Sequence, residues 1–135
     1  MRLEHVGSTA VPGLEAKPIL DLQLSVTAIE PFKPYGAPLA ALGYLFVPDP
    51  ELPDYLFFGR PHEQPRSHHL HVCEAGSRHE LRHLAVRDFL RTHTEEAARY
   101  AALKRALAER HPGDRLAYMA GKGPYLSELE ARALR

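Results

Sequence analysis

The sequence changes texture near Glu74. Before that point short apolar runs alternate with proline and glycine, and after it apolar residues recur at helical spacing. Strands first and helices afterwards point to an α+β domain: a small mixed β-sheet with helices packed on one of its faces. A chain of 135 residues is expected to form one such domain across 1–135, with enough length to bury a core.

Strand alternation sorts the first half. Leu3–Val6 is a short strand. Ile19–Val26 is the clearest one: Leu20, Leu22, Leu24 and Val26 fall on one face, and Ile19, Asp21, Gln23 and Ser25 on the other. Pro38–Leu42 closes a short helix stopped by Gly43, and Tyr44–Val47 and Tyr55–Phe58 read as strands around the turn-rich "PDPELPD". In Ser67–Cys73, Leu70 and Val72 point one way and His69, His71 and Cys73 the other.

The second half reads as helix. Ser77 and Glu80 form a capping box opening a helix to about His93, and Thr94 is expected to cap the next, with Tyr100, Leu103 and Leu107 as its apolar stripe. Asp114 caps a last helical region to Leu134, with an expected break at "GKGP", because proline inside a helix removes a hydrogen bond and clashes with the preceding turn.

Charge and composition exclude some functions. Lysine plus arginine equals aspartate plus glutamate at 17 each, so the chain lacks the positive excess that grips nucleic acid without regard to sequence. No apolar run approaches membrane-spanning length, so no membrane partner is expected. The one cysteine, Cys73, cannot form an intramolecular disulfide, and the expected compartment is the reducing cytoplasm.

The two best strands each pair an aliphatic face with a face of proton- and metal-binding groups. If they are neighbours, Asp21 and Gln23 lie beside His69 and His71, on the face expected to be left open by the helices. A solvated strand face would be the plain interpretation. Two histidines and an aspartate are nonetheless an unusual choice for solvated strand surface, and a carboxylate with an imidazole is a credible divalent-metal pair. The Gly7-Ser8-Thr9 turn is a plain turn or an anion-binding nest of successive N–H groups, with Lys17 as a charge within reach. His62, His79, His93 and His111 read as surface, His83 either way, and His5 as structural or as part of a site.

The stretch "EHVGSTAVPGLEAKPILDLQLSV" resembles the signature of the GrpB-like family, and "HHLHVCEAGS", "HLAVRDFLRTH", "YAALKRALAERHP" and "AYMAGKGPYLSELEARA" follow in that family's order across essentially the whole chain. Such proteins are similar to minimal nucleotidyltransferases. The resemblance implies a small mixed sheet with helices on one side and a phosphate turn at Gly7 and Ser8. It also implies Asp21 as the first metal-binding acid, Gln23 where a second acid would stand, and His69-Leu70-His71 where a third would. One acid of the set is kept, which leaves little negative charge for two-metal chemistry. Relatives carry a further segment before the strand ending in His5. Its absence would leave apolar surface, so a homodimer is an expectation.

The leading expectation is therefore a nucleotidyltransferase-like protein that binds a nucleotide or phosphorylated metabolite with one divalent metal, Mg or Mn with Zn as the alternative. Gly7, Ser8 and Thr9 would hold phosphate, Lys17 would neutralise charge, and Asp21, Gln23 and His71 would hold the metal. His69 or His5 would serve as base, beside Asp21. Two rivals stand beside it: a non-catalytic ligand-binding or regulatory domain with the same pocket, and a metal-dependent hydrolase using the His/Asp cluster.

Overall fold

The structure, a computed structural model, describes residues 2–14, 19–48, 55–61 and 66–135. The first half forms strands β1 (Arg2–Val6), β2 (Leu20–Val26), β3 (Leu45–Val47), β4 (Tyr55–Arg60) and β5 (His68–Glu74), with helix α1 (Lys33–Ala41) between β2 and β3. Helices α2 (Arg78–Thr92), α3 (Thr94–Arg110) and α4 (Arg115–Ala133) follow. The five strands make one sheet in the order β1-β2-β5-β4-β3, with β2 and β5 parallel and every other pair antiparallel. The α+β class and mixed sheet expected from the sequence are what the chain forms.

Register assigns the two faces. Leu22 of β2 pairs with Leu70, which pairs with Phe58, and Leu24 pairs with Val72, which pairs with Leu56. These side chains join Val26, Ile29, Tyr35 and Tyr44 in an apolar core beneath α1. The opposite face aligns Asp21 with His69 and Gly59, Gln23 with His71 and Phe57, and Ser25 with Cys73 and Tyr55. Helices α2, α3 and α4 enclose a second core of Val11, Leu90, Ala97, Tyr100 and Leu129.

The polar face is not open, which corrects the expectation. Gln23 is fully buried at 0% exposure, with Ser25 at 2% and Cys73 at 0%, because α2 lies across them. Strand alternation separates the faces but does not say which of them the helices will cover. Here α2 covers the polar face, with α3 and α4 packed on α2, and α1 covers the aliphatic one.

Three details of the helices also differ. Ser77 does cap α2, accepting from the Glu80 N–H at 3.3 Å, but Glu80 reaches back to the Gly76 N–H at 3.1 Å. The residue before α3 is His93 and no side chain caps that helix, so Thr94 is its first residue. Helix α4 runs unbroken through Pro124 after its Asp114 cap. A proline removes one N–H, whereas Gly121 lets α3 approach so closely that an added Cβ would stand 2.5 Å from Leu107 Cδ2. Packing along the remaining turns outweighs one missing hydrogen bond.

Candidate functional site

Helix α2 fixes the turn that follows β1. Arg87 Nη1 donates to Glu4 Oε2 at 2.7 Å and to the His5 carbonyl at 3.2 Å, and Arg91 Nε donates to the Ala10 carbonyl at 2.8 Å. Between these anchors, residues Ser8–Ala10 make one short helical turn entered by Gly7 at φ 74°. Glycine is required there twice over. That φ disfavours any side chain, and a Cβ would lie 2.8 Å from Asp21 Oδ2. The turn is thus pressed against the aspartate.

Ser8 does not cap the short helix. Its Oγ instead accepts from Lys104 Nζ at 2.7 Å, and the Tyr100 hydroxyl is hydrogen-bonded with it as well. The Tyr100 phenol is pushed up to about 12, chiefly by burial, so it stays protonated. Lys104 lies 96 residues from Ser8, and no local spacing signals the pairing. Lys17, the cation expected at this turn, lies outside the described residues, as does His62. Thr9 faces elsewhere, with its Oγ1 2.7 Å from His5 Nε2. The register pairs His5 with Leu22, which puts it on the opposite face of the sheet from Asp21 and corrects its expected place as a base.

Asp21 is the hub of the polar face. Its Oδ1 lies 3.2 Å from His71 Nε2 and 3.4 Å from His69 Nδ1. Burial resists ionisation of this carboxyl, but the hydrogen bonds and charges of His69 and His71 outweigh it and hold the group well below the usual carboxylate range. The second nitrogen of His71, Nδ1, is hydrogen-bonded with the Tyr55 hydroxyl. Burial raises the Tyr55 phenol, so it stays protonated, and the two nitrogens of His71 are taken up by Tyr55 on one side and Asp21 on the other. The second nitrogen of His69, Nε2, is buried with no hydrogen-bond partner among the described residues. Beside it, Gly59 leaves room for Arg66, whose Nε would be 2.5 Å from an added Cβ and whose guanidinium stands 5.6 Å from the Phe57 ring centroid.

Gln23 belongs to a different network. Its Oε1 accepts from His83 Nδ1 at 2.6 Å, and its Nε2 donates to the Glu80 carbonyl at 3.4 Å. Arg82 Nη2 lies 3.4 Å from His83 Nε2, so the imidazole is neutral, donating through Nδ1 and accepting through Nε2. Burial first, then the neighbouring His71, Arg82 and His79, lower its pKa to about 3. His79, expected at the surface, packs its ring 4.8 Å from that of Tyr55.

These arrangements do not fit the metal set expected from the sequence. His71 has both nitrogens engaged, Gln23 has both amide atoms engaged, and Asp21 and the imidazoles face one another rather than a common point. Among the described residues no group of three or more His, Cys, Asp or Glu side chains is arranged to hold a metal ion.

Residues 1–132 match the model of the family described as GrpB protein. The chain belongs to the GrpB family. Its fold superposes on the crystal structure of GrpB from Enterococcus faecalis with a TM-score of 0.86 and 34% identity, covering 99% of this chain and 80% of that one. A UPF0157 protein of Pseudomonas aeruginosa is 42% identical over 135 residues, which take in 98% of this chain and 55% of that protein. A protein of Mycolicibacterium paratuberculosis named dephospho-CoA kinase is 29% identical over 157 residues, 98% of this chain and 39% of that protein. The GrpB chain thus spans about half, or less, of these two relatives. No helix among its described residues is long and apolar enough to cross a membrane.

Proposed function

We propose that the protein binds a nucleotide or a small phosphorylated metabolite, with phosphate at the Gly7–Ser8 turn and the Asp21–His69 pair beside it. One observation carries the reading: Lys104 Nζ stands on Ser8 Oγ at a glycine turn whose backbone abuts Asp21. A lysine ammonium beside a serine hydroxyl at a glycine turn is the chemistry of a phosphate cradle. Arg66 brings a second cation to the His69 side, and together the two offset the repulsion between Asp21 and an incoming phosphate. The relative named dephospho-CoA kinase supports a ligand of this class.

In this reading His69 is the base. Asp21 orients it through Nδ1, and Nε2 is buried without a partner among the described residues. That nitrogen would have to be uncovered on ligand binding to take the proton of an acceptor hydroxyl whose oxygen attacks the α-phosphate and expels pyrophosphate. A metal-dependent hydrolase is disfavoured by a donor set that is hydrogen-bonded within itself. Binding without turnover is the second reading, favoured by Gln23, an amide tied to His83 where a nucleotidyltransferase would place an acid.

Calorimetric titration with ATP, GTP and inorganic triphosphate, each with and without Mg, Mn or Zn, tests the binding. Ser8→Ala should weaken it by about 1.5–3 kcal/mol, the worth of a hydrogen bond to a charged group, and unchanged affinity removes the phosphate assignment. His69→Gln should keep binding while losing transfer of labelled nucleotide to an acceptor. Wild-type protein that binds but transfers nothing supports the second reading instead.

A further inference from the structure

We infer that the groove between the C-terminal half of α3 and the start of α4 receives the organic part, sugar and ring, of a nucleoside polyphosphate whose phosphates lie at Ser8. The inference rests on the phosphate reading of the Ser8 turn and extends that site by one compartment.

The groove has a volume of about 520 Å³, within the size range of small-molecule sites. Its α3 wall is Ala101, Lys104, Arg105 and Ala108, which the spacing of three and four residues places on one face of the helix. Its far wall comes from the turn into α4, including Arg115 and Tyr118. Small side chains alternate with cations along the α3 wall, an arrangement suited to a flat ring attached to a negative charge.

Charge points the same way. Among the described residues, Lys104, Arg105 and Arg115 line the groove together with one carboxylate, Asp114, which accepts from the Ala117 N–H at 3.1 Å. The described lining has more cations than carboxylates in a chain whose charges balance overall, 17 against 17. Lys122 places its ammonium 5.3 Å from the centroid of the Tyr118 ring and adds a further cation at that end.

Continuity sets the orientation of the ligand. Lys104 lines the groove and also holds Ser8 Oγ at 2.7 Å, so one ammonium belongs to both compartments. A phosphate chain at Ser8 would leave the rest of the molecule to run along α3 toward Tyr118.

The test compares ATP and GTP with inorganic triphosphate on wild-type protein and on Ala108→Phe, which fills the groove without changing charge at an exposed position. Nucleotide affinity should fall at least tenfold while triphosphate affinity stays within twofold. Tyr118→Leu, a second groove variant, should show the same split if Ala108→Phe folds poorly. Nucleotide affinity unchanged in both variants, or both ligands weakened equally, overturns the groove. If Ser8→Ala weakens nucleotide and the groove variants do not, the groove fails and the phosphate turn stands. If the groove variants weaken nucleotide and Ser8→Ala does not, the turn fails and the groove stands as the nucleotide site. Wild-type protein that binds none of the three ligands overturns both.

Discussion

The two faces of the sheet are buried by different physics. Beneath α1, Leu22, Leu24, Leu70, Val72 and Phe58 are held by apolar contact alone, with Phe32 and Phe46 rings 6.0 and 5.5 Å from that of Phe58. On the other face the same strands bury Gln23 and half-bury His71 and Tyr55 beside α2, where Gln23 bonds to His83 and to the Glu80 carbonyl and His71 bonds to Tyr55 and Asp21. Apolar packing is non-directional and tolerates a methylene shift; a buried polar network demands that each donor meet its acceptor. A chain of ordinary size can rest its stability on the first face and reserve the second for groups whose protons and charges must be held in place.

Removing bulk from the apolar face should give the largest effect. Phe58 is 1% exposed, and Phe58→Ala should lower unfolding free energy by about 3–5 kcal/mol in urea titration. A loss under about 1 kcal/mol would mean that the α1 face collapses around the gap and that the contrast between faces is weaker than drawn.

The polar face should give an intermediate effect with a signature of its own. Gln23→Leu leaves the His83 Nδ1–H and the Glu80 carbonyl without their partner, at a cost of about 1–3 kcal/mol. Adding His83→Phe removes the stranded donor, so the double variant should be no less stable than Gln23→Leu alone. Strict additivity of the two losses would show that the pair is not coupled.

Much of this was legible in the sequence, for a definable reason. Period-two alternation put Asp21, Gln23, His69 and His71 on one face, and the register of β2 with β5 does so. The cap at Asp114 and the stop at Gly43 were likewise local signals. What local patterns do not carry is partnership over long separations. Lys104 meets Ser8 across 96 residues, and His83 meets Gln23 across 60. His5 is adjacent to the Gly-Ser turn in sequence and yet faces Leu22, because one residue along a strand is the difference between its two faces.

Acid should separate the faces further. His83 is neutral and its folded pKa lies at about 3, below its ordinary 6.5. The native state therefore binds fewer protons than the unfolded chain between those values. The stability this contributes is complete above pH 6.5 and is lost as pH falls toward 3. Unfolding free energy should drop between pH 7 and pH 5, and His83→Gln should remove that part of the slope. An identical slope in the variant would place the titration elsewhere.

Asp21 should give the smallest effect and the sharpest test of what the polar face is for. Burial opposes its ionisation, but His69 and His71 lower its folded pKa below the ordinary 3.8, so the native state gives up its proton more readily than the unfolded chain. That stabilisation is complete above the unfolded value near pH 4 and is lost as pH falls through the folded one. The side chain is 29% exposed, so solvent screening leaves about 1 kcal/mol at pH 7 for Asp21→Asn, which keeps an acceptor oxygen but not the charge. The difference between wild type and variant should hold steady from pH 7 to pH 5 and shrink below about pH 4. Ligand affinity adds the deciding measurement. A variant that loses nucleotide binding while unfolding within about 1 kcal/mol of wild type marks Asp21 as placed for the ligand. One that loses several kcal/mol and binds normally once folded would make the whole polar face a structural core built from hydrogen bonds instead of methyl groups.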